Sequence, residues 1–536
     1  MVKRDIWGSR TAFVLASIGS AIGLGNLWRF PMVCFENGGG AFLIAYGICL
    51  LVAGIPLLML EFSIGKRMNN AAPGAFLGIS PKLEWFGWFA VGVGFIITTY
   101  YSGIMSWCLN YLLFSVKTTW GATPNEFFFN DFLKITTDAE KAWSWGAFRW
   151  PIFIGMIVAW VWMVASIWKG TKTVGKVVWV TVLGPWILLL VFVVRGVTLP
   201  GASEGLAFYL TPEWIKLLDP QVWLAAVSQV FFSLTVGFGV MIAYGSFIDD
   251  KTCIVKNAWI IGLADAGTAI VGGFAVFGAL GHKRLLQAAA VGVSPDSIPF
   301  ADVVRGGPGF TFVTYPEIIN ALPWSQFFGV LFFVMLSLLA VDSAFSLVEG
   351  VSAALKDKFG WTHKKSNITV AVCGFLLGLP YVFGAGLWWL DIVDRFMNQF
   401  GLTFVVLGQC LIIGWVMKAG RMRHFINSRS EGKIGIWWDI RIQLIIPAFI
   451  LVMLGFEIYQ RIQKPYGEFG LRSQEFVWGW LVIALLIFVA IVIAKIKGIP
   501  DYERLANAIP TNDEECGCEI PLKQDKGDDS ELYDID

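Results

Sequence analysis

Two short stretches carry residues that a membrane-crossing helix has reason to avoid. Ser17-Ile-Gly-Ser-Ala-Ile-Gly-Leu-Gly-Asn-Leu-Trp-Arg-Phe-Pro31 holds Gly19, Gly23 and Gly25, the polar Asn26 and the charged Arg29. Phe231-Phe-Ser-Leu-Thr-Val-Gly-Phe-Gly239 holds Gly237 and Gly239 with Ser233 and Thr235, and Gln229 precedes it. Glycine loosens a helix, and a loosened helix frees backbone carbonyls and amides. The other reading of such glycines is close helix packing. Asn26, Ser233 and Thr235 beside them favour a binding site. Three acids, Asp265, Asp342 and Asp394, also lie in apolar segments, where an ionisable group is expensive.

The rest of the chain has to position these residues. Of 536 residues, 56% are hydrophobic and 15% are charged, against about 25% charged in soluble domains. This is an integral membrane protein, and a net charge of +1 argues against a nucleic-acid partner. The pattern predicts an all-α polytopic fold with 12 transmembrane helices near 8–32, 40–64, 84–115, 150–168, 174–195, 223–247, 256–282, 325–355, 367–383, 388–417, 436–457 and 476–496. The two glycine-interrupted segments are the first and the sixth. They open two five-helix sets, a 5+5 inverted repeat with discontinuous helices 1 and 6, which points to a binding site near the bilayer midplane. The predicted units are 1–195, 196–417, 418–498 with the last two helices, and a polar, acidic tail over 499–536.

Lys66-Arg67, Lys169 with Lys172 and Lys176, Lys364-Lys365 and the loop from Lys418 to Lys433 fall on one side with Lys3-Arg4, Lys495 and Lys497. Both termini are therefore expected in the cytoplasm, in the plasma (inner) membrane. The connections 116–149, 196–222 and 283–324 should hold short helices over an external mouth. Six scattered cysteines in or beside apolar segments read as free thiols, and Cys516-Gly-Cys518 lies in the polar tail.

Gly23-Leu-Gly-Asn-Leu-Trp-Arg-Phe-Pro31, Glu36-Asn-Gly-Gly-Gly-Ala-Phe42, Gly54-Ile-Pro-Leu57 with Glu61, and Val341-Asp-Ser-Ala-Phe345 resemble the neurotransmitter:sodium symporter family, in its leucine-transporter-like, amino acid-carrying form. The likeness runs from Lys3 to about Lys497. A loop 116–149 without cysteine, and Asn367-Ile-Thr369 on the cytoplasmic side, fit a bacterial or archaeal chain. The resemblance implies two sodium sites built from oxygen ligands. The first corresponds to the Ala21 carbonyl, Asn26, Ser233 and Asp265, completed by the substrate carboxylate. The second corresponds to the carbonyls of Gly19, Ile22 and Leu339 with Asp342 and Ser343.

Two positions depart from the family pattern. Asp265 stands where an Asn is commoner, and Ala269 where chloride-dependent relatives have a Ser. A carboxylate at Asp265 would supply the negative charge that chloride supplies elsewhere. Two sodium ions then face two carboxylates, and a zwitterion adds nothing. The resemblance therefore implies sodium as the coupling ion and no chloride.

The substrate implied is an amino acid. Amides of Leu24 and Gly25 in the unwound helix suit its carboxylate, with the Tyr101 hydroxyl beside them. Carbonyls of Ala21 and Phe232, with Thr235, suit its ammonium group. Monoamine carriers have an Asp where this chain has Gly23. The pocket implied is Ser20, Ile97, Tyr101, Phe232, Phe238, Ser343, Ala344 and Leu347, apolar enough for a large hydrophobic or aromatic side chain. Arg29 and Asp394 correspond to the outer gate. Arg4, Trp7 and Asp357 correspond to the inner one, where Phe247 replaces a family Tyr. Gly175-x9-Pro185 marks a place where the fifth helix can unwind or simply kink. A sensor of the same fold that binds without transporting is not separable on sequence. An intramembrane enzyme lacks its flanking motifs, so no catalytic residue is assigned.

Overall fold

The computed structural model describes residues 6–135, 143–249, 252–304, 307, 309–467 and 469–507. Among them the secondary structure is helical, with two isolated bridges, Gly39 to Pro212 and Phe148 to Phe383. That is what a bilayer allows, since a helix satisfies its backbone groups within one segment.

Helix α1 (Arg10–Ala21) starts at Ser9, whose hydroxyl accepts from the Ala12 amide at 3.1 Å. It stops at Ile22, which is extended. Helix α2 (Gly25–Glu36) resumes at an angle of 45°. Then follow α3 (Gly40–Met68), α4 (Pro81–Ser115), α5 (Trp150–Ser166), α6 (Thr171–Val197), α7 (Pro220–Ser233) and α8 (Val240–Ser246). The remaining helices are α9 (Ile254–Val291), α10 (Ser325–Phe359), α11 (His363–Val382), α12 (Gly386–Val416), α13 (Ile436–Gln463) and α14 (Arg472–Lys495).

Among the described residues nine of these helices are long and apolar enough to cross a membrane, and α1 with α2 makes a tenth as one bent span. The other two segments expected from the sequence are α5, which is shorter, and the α7–α8 pair. That pair is divided by Thr235, Gly237 and Gly239, all with positive φ. The connections hold short helices as expected, among them Ala202–Leu210, which packs on α9, and Tyr315–Asn320. Helix α9 runs on past the predicted 282 to Val291. Its C-terminal end is stabilised by Lys283 on Glu317 at 2.5 Å and Arg284 on Glu204 at 3.2 Å.

Burial separates centre from periphery. In α4 83% of the apolar window is buried and in α10 72%, whereas α14 buries 17% and α6 28%. Helices α4 and α10 pack along each other as the central wall, and α1 lies against α6, α9 and α10. At one end of the wall Lys358, fully buried, sits 2.6 Å from Glu84 Oε1. The same oxygen accepts from Trp88 Nε1 at 2.9 Å and from the Tyr502 hydroxyl at 3.0 Å. This ties the segment after α14 to the core.

Candidate functional site

The two helix breaks meet. The Thr235 hydroxyl donates to the Ser20 carbonyl at 2.9 Å, and Gln229 Nε2 donates to the Gly25 carbonyl at 3.4 Å. Thr235 is β-branched and sits at φ 54°, a strained conformation worth about 1–3 kcal/mol. Its bond to α1 helps hold it there. From α10, the Ser343 hydroxyl donates to the same Ser20 carbonyl at 3.3 Å. From α4, the Tyr101 hydroxyl accepts from the Leu24 amide at 3.4 Å. The Glu61 carboxylate of α3 holds the second break open. It accepts from the Gly237 amide at 2.8 Å and from Gln409 Nε2 at 2.7 Å.

Asp265 lies at this junction and is fully buried. Asn26 Nδ2 donates to its carboxylate at 2.8 Å, and the Ser233 hydroxyl lies 2.8 Å from each of its oxygens. Asn26 Oδ1 in turn accepts from the Gly23 amide at 3.2 Å, which fixes the orientation of the side chain. Tyr46 of α3 stands beside Asp265, its buried hydroxyl next to Ser233. One turn along α9, the buried Ala269 offers only a methyl group.

Asp342 on α10 is different. Both carboxylate oxygens are buried and accept no hydrogen bond among the described residues. A buried carboxylate without donors costs several kcal/mol unless a cation faces it. A Cβ on Gly19 would come within 2.8 Å of Asp342 Oδ2, so only glycine lets α1 approach this closely. Thr181 of α6 also stands beside Asp342, its hydroxyl donating to the Val177 carbonyl. Pro185 has no N–H to give to the Thr181 carbonyl one turn back. The helical pattern of α6 is interrupted nearby, at Val182. The resulting set of hydroxyl, carbonyl and carboxylate oxygens is the chemistry a hard monovalent cation takes.

Between the breaks lies a cavity of about 30 Å³. Of the substrate-site residues named from the sequence, all but Leu24 and Ala344 line it, and Gly23 joins them. A side chain at Gly23 would run into the Ser343 hydroxyl and come within 3.3 Å of the Tyr101 hydroxyl. Phe232 and Phe238 form one wall, their ring centroids 6.4 Å apart.

Arg29 and Asp394, expected at the outer gate, are each held by other partners. Arg29 lies over the Phe232 ring at 4.7 Å and donates to the Ser228 hydroxyl at 3.4 Å. Asp394 accepts from the Tyr100 hydroxyl at 2.6 Å and from Asn398 Nδ2 at 2.9 Å. No ion pair joins Arg29 and Asp394; each has a nearer partner on its own side of the cleft. Of the residues expected at the inner gate, Trp7 Nε1 donates to the Tyr244 carbonyl at 3.2 Å, and the Trp7 amide donates to the Phe247 carbonyl at 3.1 Å. This contact uses the backbone at Phe247, so it does not need the hydroxyl that position lacks. Asp357 accepts from the Ala71 amide at 2.8 Å. Arg4 and the Cys516–Cys518 pair lie outside the described residues.

Tyr46, Thr181 and Ser346 were not singled out in the sequence. Ser346 had a signal, since it falls one turn from Ser343 on α10, and Ser20 donates to it at 2.8 Å. Tyr46 and Thr181 had none, because only the packing of α3 and α6 brings them to the two aspartates.

The model of the sodium:neurotransmitter symporter family matches residues 4–125 and 121–499. The chain belongs to that family. The symporter is 36% identical over 505 residues to an uncharacterized sodium-dependent transporter of Methanocaldococcus jannaschii, covering 93% of this chain and 99% of that one. It is 33% identical over 455 residues to the sodium- and chloride-dependent GABA transporter 2 of Mus musculus, covering 78% of this chain and 74% of that one. Among solved structures it resembles MhsT in complex with L-phenylalanine, with a TM-score of 0.70 and 31% identity over 84% of this chain and 99% of that one. The symporter is thus a sodium-dependent, multi-pass membrane transporter and not an enzyme.

Proposed function

We propose that this symporter carries a neutral amino acid, large and hydrophobic or aromatic, into the cell with sodium by alternating access and without chloride. The observation that carries the reading is the buried Asp265, bonded to Asn26 of the first break and Ser233 of the second. A carboxylate there supplies a fixed negative charge, and Ala269 leaves no hydroxyl for an anion one turn away. Asp342, which has no bonded donor among the described residues, supplies the second. Two sodium ions on these two acids, with a zwitterion between them, leave the loaded site neutral, as a low-dielectric site requires. Ala21, Asn26, Ser233 and Asp265 form the first ion site of this proposal; Gly19, Ile22, Leu339, Asp342 and Ser343 form the second.

The cavity supports an amino acid over an amine. Gly23 has no carboxylate to replace that of the substrate, and the Leu24 amide and Tyr101 hydroxyl stand ready for one. The wall formed by Ile97, Phe232, Phe238 and Leu347 contains no charged side chain. The bound L-phenylalanine of MhsT is in line with this choice. Arg29 with Asp394, and Arg4 with Trp7 and Asp357, are the gates of the proposal. Residues 1–195 and 196–417, the first five and the next five predicted segments, are its inverted repeats, with both termini in the cytoplasm.

The test is uptake of labelled phenylalanine into proteoliposomes under a sodium gradient, with a competition panel of the other neutral amino acids. Uptake should require sodium and persist when gluconate replaces chloride. Collapse in gluconate removes the chloride-independent reading. Sodium-dependent binding without uptake makes the protein a sensor.

A further inference from the structure

A second cavity lies apart from the break site. It is a groove of about 1440 Å³ bounded by the start of α1, the facing ends of α5 and α6, and α11. Its floor is apolar and aromatic, with Phe153, Trp160, Val164 and Phe375. Its flanks run into the exposed apolar surface of Val161, Val372 and Leu376, which a bilayer would cover. Its other end is basic. Lys169, Lys172 and Lys176 line it, and Lys172 and Lys176 are one turn apart on α6. None of these three ammonium groups has an acidic partner among the described residues. Trp168 stands beside them, with Lys364 Nζ 5.6 Å over its ring.

We propose that this groove binds one anionic phospholipid, acyl chain along the apolar floor and headgroup phosphate on Lys169, Lys172 and Lys176. The two halves of the groove argue for this occupant together. A soluble anion leaves the hydrocarbon-facing floor uncovered, and a neutral lipid leaves the lysines unused. The acidic tail after Asn507 would satisfy the lysines, but it is too polar for the floor. On the expected orientation the lysine end lies at the cytoplasmic leaflet, which carries the anionic lipid. The lipid would touch two elements of the inner half at once, because Gly8, Ser9 and Ala12 form one wall and Thr171 and Gly175 the other. Those walls already meet where the Thr171 hydroxyl donates to the Ile6 carbonyl at 3.3 Å.

The experiment is native mass spectrometry of the full chain in detergent, titrated separately with dioleoyl-phosphatidylglycerol and dioleoyl-phosphatidylcholine. One phosphatidylglycerol should be retained about tenfold more tightly than phosphatidylcholine, given the attraction each lysine adds. In K169Q/K172Q/K176Q that preference should fall to about twofold or less, while K495Q/K497Q on another face keeps it. A165W, which fills the groove, should lower retention of both lipids. All variants should melt within a few degrees of the wild type; the lysine variant changes only exposed groups and stays informative should A165W unfold. Equal retention of the two lipids by the wild type overturns the proposal. So does a preference that survives both changes, or one that emerges only after residues 508–536 are removed, which would make the tail the occupant.

Discussion

Asp265 and Asp342 are both buried acids, but the protein treats them differently. Asp265 is surrounded by donors from Asn26 and Ser233, so it is partly satisfied before any ion arrives. Asp342 has Thr181 beside it but no bonded donor among the described residues, and in the proposal it faces the second sodium ion. Replacing Asp265 by Asn removes a charge and leaves the site short of a negative partner. D265N should lose at least about tenfold in sodium-driven uptake, equivalent to about 1.4 kcal/mol. Adding A269S to that variant should restore uptake in chloride but not in gluconate. The measurement is uptake by each variant in the two anions. Gly23 makes a second prediction at this scale. Because any side chain there meets Ser343 and Tyr101, G23D should abolish phenylalanine binding while leaving the melting temperature within a few degrees of wild type, as read by equilibrium binding on purified protein.

At the scale of elements, helix breaks and helix ties do opposite work. Glu61 bonds the Gly237 amide and so stabilises an interruption that α7 and α8 could not keep by themselves. Lys358 does the reverse at the end of α10, fastening α4, the last turn of α14 and Tyr502 into one unit. Burial first, and then the neighbouring Glu84 carboxylate, push the Tyr502 hydroxyl well above the ordinary phenol range. It therefore stays a donor at any assay pH. K358M leaves Glu84 buried with its cation gone and should cost about 3–5 kcal/mol, read as a large fall in melting temperature. E84Q/K358M should recover part of that loss. Y502F deletes one hydrogen bond to a charged acceptor and should cost about 1.5–3 kcal/mol in the same assay.

For the whole molecule, the orientation expected from the lysine and arginine loops places Cys253 in the cytoplasm. Burial raises its thiol, but hydrogen bonds from the Lys256 amide, Ser430 and the Glu431 and Gly432 amides more than offset that and hold it below the usual thiol range. It should react readily near neutral pH. In C516S/C518S, a membrane-impermeant maleimide should label Cys253 in inverted vesicles and spare it in right-side-out ones; the opposite result reverses the orientation. The sequence by itself determined where the first and sixth segments break, because glycines in an apolar run have few other uses beside Asn26, Ser233 and Thr235. It also determined the helical, membrane-crossing character, since hydrophobic length is a local property. Only the tertiary structure decided what those breaks face. Tyr46 reaches Asp265, Thr181 reaches Asp342, and Arg29 rests on Phe232 instead of Asp394. These contacts join helices far apart in the chain, and a residue's type says what it can bind but not which neighbour the packing will bring to it.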